Sequence, residues 1–191
     1  MKRFTRLALL FMLGATVFTA CKDDDDDSVN NDNGGTTITP NEEELITTVA
    51  VIYSDTMGMA MDTFYFRDPD GDGGNSPEID TLHLPANAVF DINLQFLDES
   101  DPNDVEDITA EIQMEDDEHF VCFEDQAGLA ISIELRDSDG TYPVGLSSRW
   151  TSMGATQGQL KLSLKHQPGV KDGTCAPGDT DVEVDFPYVL N

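Results

Sequence analysis

The chain has 191 residues, with 38 acidic side chains against 10 Lys and Arg and a formal net charge of −28. That balance excludes the clustered basic surface that nucleic-acid phosphates require, so nucleic acid is not an expected partner. Cations and basic surfaces are the natural counterparts, and charge of this size also keeps a chain in solution.

Lys2, Arg3 and Arg6 precede an apolar run from Leu7 to Phe18. These are the n-region and h-region of a secretory signal, and the run is shorter than the about 20 residues of a membrane-spanning helix. It ends Phe18-Thr19-Ala20-Cys21, followed by Lys22 and the aspartates 23 to 27. Small residues directly before a cysteine resemble the lipobox of bacterial lipoproteins, with Phe18 standing where that family has Leu or Val. The resemblance implies removal of residues 1–20 and a lipid on Cys21, which then holds the chain to a membrane. The tract Lys22 to Asp27 resembles the export signal of Bacteroidetes lipoproteins bound for the outer face of the outer membrane. Read from charge alone, it is a solvated spacer, because adjacent carboxylates repel one another and bury nothing. Loss of residues 1–20 leaves seven basic residues against 38 acidic ones, a charge of −31.

Residues 21–42 are Asp, Asn, Gly and Thr with almost no large apolar side chains, which is the composition of a tether. The folded domain is expected over 43–191. Its first strand covers 45–53, rich in β-branched residues, followed by 63–67 and 79–84. In 89–97, Phe90, Ile92, Leu94 and Phe96 alternate with Asp91, Asn93 and Gln95, the period of a strand with one wet face. Asp101 is the expected N-cap of a helix, with Pro102 at its first position and Val105, Ile108 and Ile112 on one face. That helix should end near His119. Its acidic end, Glu115 to Glu118, opposes the helix dipole and so either frays or meets a cation. Further strands are expected at 120–124, 129–136, 144–152, 159–165 and 182–190, separated by turn residues such as Asp137 to Gly140. About nine short strands and one connecting helix predict a mainly β fold. The expected form is a single antiparallel β-sandwich of immunoglobulin-like type, with a small barrel as the alternative.

Arg67 to Asn75 contains Asp68, Asp70 and Asp72 at alternating positions, followed by glycine. Short carboxylates at this spacing can converge on a hard cation, and glycine allows the sharp turn. The stretch resembles the calcium loops of EF-hand and thrombospondin-type repeats, with Asp68, Asp70, Asp72, Asn75 and Glu78 as ligands. The twelfth position, a bidentate Glu in a full EF loop, is Ile79, and Glu78 falls one place early. The alternative is a plain turn between two strands. Calcium is thus a candidate ion, and no cofactor is required.

Cys122 and Cys175 form an even pair once Cys21 is lipidated, and outside the cytosol such a pair is a disulfide candidate. The alternatives are a buried thiol at Cys122 and an exposed one at Cys175. The long segment from Lys165 to Asp179 carries His166, which His119 and His83 could join in a transition-metal site. A turn-rich or disulfide-pinned loop is the simpler reading. Trp150 with Tyr142 could offer a sugar-stacking surface, or Trp150 could fill the core. No G-x-S-x-G, H-E-x-x-H or phosphate loop is present in the sequence, so no enzyme is expected.

From Asn41 to the end the chain resembles a group of small flavobacterial lipoproteins, on Arg67 to Asn75, Glu118-His119 and His166 to Pro187. Members are often labelled "type 1 periplasmic binding fold" and lie near TonB-dependent receptors. The label implies a two-lobed α/β fold, whereas the residues here read as nearly all β. The neighbourhood implies a role beside outer-membrane uptake, with such a receptor as partner. Three functions follow as expectations. The first is a non-enzymatic, lipid-anchored binding module at the cell surface with ligand unknown, the second a metal-capture lipoprotein, and the third a surface glycan hydrolase.

Overall fold

Alternation of apolar and polar residues sends every long strand into one of two sheets. The computed structural model describes residues 44–191, apart from 72, 127 and 129 and the side chain of Ala60. The signal (1–20), the tether (21–42) and Cys21 lie outside the described residues, as does the candidate ligand Asp72. In chain order the elements are β1 (Thr48–Ser54), β2 (Ala60–Arg67), β3 (Glu78–Ile79), β4 (Leu82–Leu84), β5 (Val89–Asp98) and β6 (Glu106–Asp107). The helix α1 (Ile108–Met114) is followed by β7 (His119–Asp125), β8 (Ile131–Leu135), β9 (Ser147–Ser152), β10 (Thr156–His166) and β11 (Asp179–Leu190).

One sheet runs β3-β2-β1-β5-β9-β8, with β6 also on β5, and the other runs β4-β11-β10-β7. The fold is mainly β and sandwich-like, as the sequence predicts, and it is not a barrel. All pairs are antiparallel except β4 with β11, which run parallel at Leu82 to Leu84. The inward residues Phe90, Ile92, Leu94 and Phe96 of β5 meet Leu160, Leu162 and Leu164 of β10 and Val184 and Phe186 of β11 in one core. At about 1.5–3 kcal/mol for each large apolar side chain fully buried, this shared face is the main driving force. Trp150 is fully buried there, its indole N–H donating to Ser148 Oγ at 2.8 Å, so it is a core residue and not a sugar platform.

Two local readings change. The expected strand 79–84 is split, because Asp80 bonds back to Tyr65 of β2 through both its amide and its carboxylate, at 2.9 and 2.8 Å. Beyond Asp80 the chain crosses to the other sheet, where Leu82 and Leu84 are buried. The helix also starts later and ends earlier than expected. Asp101 caps a tight turn, accepting from Asn103 N, and the helix N-cap is Asp107, which accepts from Thr109 N. Thr109 fixes α1 to the sheet by accepting from Phe96 N at 2.9 Å and donating to Phe96 O at 3.1 Å. Val105 lies outside the helix and is exposed, and His119 is the first residue of β7.

Candidate functional site

His119 opens β7 and His166 closes β10, and the antiparallel register sets them directly opposite one another. Their rings are stacked, with centroids 4.7 Å apart and planes within 4°. His119 is fully buried and His166 is 5% exposed. The Nδ1 of His119 lies 3.1 Å from the carbonyl of Glu115, which can only accept, so Nδ1 carries the hydrogen. Nε2 meets Glu44 Oε1 at 3.0 Å. Glu44 lies just ahead of β1 in the first sheet, and Glu115 is the C-cap of α1. One ligating atom each from Glu44, Glu115, His119 and His166 thus lies within 4.8 Å of all the others. Glu118 adds a carboxylate 3.6 Å from His166 Nε2.

Burial is the largest influence on His119 and disfavours its charged form, but the hydrogen bond and charge of Glu44 outweigh it and raise its pKa. Burial likewise pushes Glu44 up, and His119 outweighs it and holds the carboxyl below its ordinary range. Burial raises Glu115, helped by the nearby charges of Glu111, Glu118 and Glu44. Glu44 Oε2 and His166 Nε2 are buried with no hydrogen-bond partner among the described residues.

The segment after His166 is pinned from three sides. Buried Gln167 donates from Nε2 to the carbonyls of Thr174 and Pro177, each at 2.9 Å. Cys175 is joined to Cys122 of β7 by a disulfide, with Cα atoms 6.0 Å apart. The Lys171 ammonium meets Asp139 at 3.0 Å and donates to the carbonyl of Asp116. The acidic end of the helix region therefore does meet a cation. Gly178 closes the loop at φ +79°, and any Cβ there would lie 2.1 Å from the carbonyl oxygen of His166.

A cleft of about 480 Å³ borders the histidine pair and shares Glu44 with it. Its apolar lining is Leu45, Ile46, Phe66 and Val182, and its charges are Glu44, Asp68, Asp181 and Glu183, with no Lys or Arg among the lining residues. A second groove, of about 590 Å³, is lined by Gln126, Gln157, Gln159 and Tyr188, and it brings no histidine or acidic side chain together.

The acidic loop between β2 and β3 takes the form of successive turns. Asp70 Oδ2 accepts from the amide and the side-chain nitrogen of Asn75, at 2.9 and 2.6 Å. Gly71 N donates to Asp68 O and Gly74 N to Gly71 O. Glu78 is exposed in β3. His83 is exposed and pairs with Val189, at the opposite end of β11 from Asp179, which pairs with His166. At about 3.3 Å per residue, that is roughly 30 Å from the other two histidines.

The sequence singles out His119 and His166 and marks Glu115 to Glu118 as an acidic end that frays or meets a cation, but it joins neither Glu115 nor Glu44 to the histidines. Among 38 acidic residues nothing local distinguishes those two, and only the meeting of both sheets with the helix end selects them. No family model, characterised protein or solved structure matches this chain.

Proposed function

We propose that the chain is an exported, lipid-anchored binding module of the outer membrane that performs no chemistry of its own. Its ligand is a cationic group, with a basic segment of a partner protein as the class that fits. The observation that carries this reading is the cleft in which Glu44, Asp68 and Asp181 line an apolar floor that includes Phe66, with Glu183, ion-paired with Lys161 at 2.5 Å, also in its lining. An aliphatic stem ending in a positive charge, as in Lys or Arg, satisfies both parts of that lining. A disulfide between Cys122 and Cys175 supports export, since such bonds persist outside the reducing cytosol. Anchoring through Cys21 and a TonB-dependent receptor as partner rest on the resemblance to flavobacterial lipoproteins.

Fluorescence anisotropy with a Lys-rich peptide and a neutral control peptide tests the reading. The basic peptide should bind, weaken as salt rises, and weaken strongly in Asp68→Asn/Glu183→Gln. Equal binding of both peptides, or an unchanged affinity in the double variant, refutes it. Cys21→Ser should release the chain from the membrane fraction, and retention there refutes the anchor.

A further inference from the structure

The geometry points to a divalent transition-metal site formed by Glu44, Glu115, His119 and His166, for an ion of zinc, copper or nickel character. It goes beyond the cleft reading and does not depend on what the cleft binds.

The donor set selects the class of ion. Two imidazoles with carboxylates suit zinc, copper and nickel, whereas calcium and magnesium take oxygen shells. The span is nearly right. Ligand bonds of about 2.0–2.2 Å put donors on one ion about 3.4 Å apart in a tetrahedron and about 4.2 Å apart when opposite. The four atoms here lie within 4.8 Å, so the site closes by a shift on the order of an ångström. Two of the four ligands can supply that shift. Glu44 precedes Thr47, whose amide makes the first cross-strand bond, to Leu97, and Glu115 follows the last helical residue. The histidines are held by the β7–β10 register, and their parallel rings tilt toward each other when one ion takes both.

The surroundings already do what a second layer of ligation does. A metal-bound histidine usually donates its other ring nitrogen to a carbonyl or carboxylate, which fixes the free nitrogen toward the ion. The His119 Nδ1 contact to Glu115 O is that arrangement. A simple ion pair accounts for Glu44 with His119. It leaves unexplained a second buried imidazole stacked on the first, whose Nε2 has only the Glu118 carboxylate at 3.6 Å and no hydrogen bond among the described residues, and a buried Glu44 Oε2 that likewise has no hydrogen bond among them. A single cation satisfies both atoms. It also offsets two of the three negative charges that Glu44, Glu115 and Glu118 bring to the pair.

The test uses the purified full-length chain, stripped with a chelator and titrated by calorimetry with Zn²⁺, Cu²⁺ and Ni²⁺ in turn. Co²⁺ absorption serves as the spectroscopic probe. One ion per chain is expected, undisturbed by excess Ca²⁺. His119→Gln and His166→Gln should each weaken it by at least about tenfold and alter the Co²⁺ spectrum, while His83→Gln leaves both unchanged. Should a histidine variant fail to fold, Glu115→Gln removes a donor from the helix end and must also weaken binding. Asp68→Asn/Glu183→Gln, which disables the cleft, should keep wild-type metal affinity. Binding that survives both histidine changes, as an acidic surface would give, overturns the proposal. So does the absence of any bound ion.

Discussion

His119 and His166 stack face to face across β7 and β10 at the end of a buried strand pair, with Glu44 closing on His119 from the other sheet at 3.0 Å. This contact ties the two sheets together through a hydrogen-bonded ion pair in the interior. His119→Ala would strand Glu44 without its partner. Breaking a buried pair from one side costs about 3–5 kcal/mol, and denaturant unfolding should show a loss of that order. His83→Ala, at an exposed position, should change stability by less than about 0.5 kcal/mol. Equal losses in the two variants would remove any special role for the pair.

Cys122 and Cys175 are separated by 53 residues, so their bond restricts a long stretch of the unfolded chain. The chain-entropy estimate for that loop is about 4 kcal/mol, within the usual range of about 2–5. Cys122→Ala/Cys175→Ala, or reduction of the native protein, should lower the unfolding free energy by that range. An unchanged denaturation midpoint under reducing conditions would mean that Gln167 and Lys171 hold the loop without the disulfide.

Asp139 accepts from the amide of Tyr142 first of all, then from the Lys171 ammonium and the amide of Thr141. Together they hold its carboxyl at about 2, against an ordinary value of 3.8. A depressed folded value means that the native state binds fewer protons than the unfolded chain across this interval, so stability rises with pH there. The contribution is complete above about 3.8 and disappears as pH falls toward 2. Lys171→Met should move the Asp139 titration upward in an NMR series and shift acid unfolding to higher pH. A wild-type Asp139 titrating near its ordinary value would contradict this.

Asp70 turns its carboxylate inward onto Asn75. Asp70→Ala should therefore loosen the β2–β3 connection and speed proteolysis between residues 70 and 75, whether or not calcium is present. A calcium-dependent rise in melting temperature that Asp70→Ala abolishes would instead make this loop an ion site.

Residue patterning along the chain was enough to give the mainly β class, the inward faces of β5, β8 and β10, and the place of nearly every strand. Those properties depend on a period of two, which is local. It singled out His119 and His166 and proposed the Cys122–Cys175 pair, because rare residue types stand out in any chain. It misplaced the helix, since Asp101 and Asp107 are both plausible caps and only pairing of residues 106 and 107 with β5 decides between them. The meeting of Glu44 and Glu115 with the two histidines was decided by tertiary structure alone. It requires the β7–β10 register, the approach of the segment before β1, and the end of α1, and no short stretch of sequence encodes contacts that far apart.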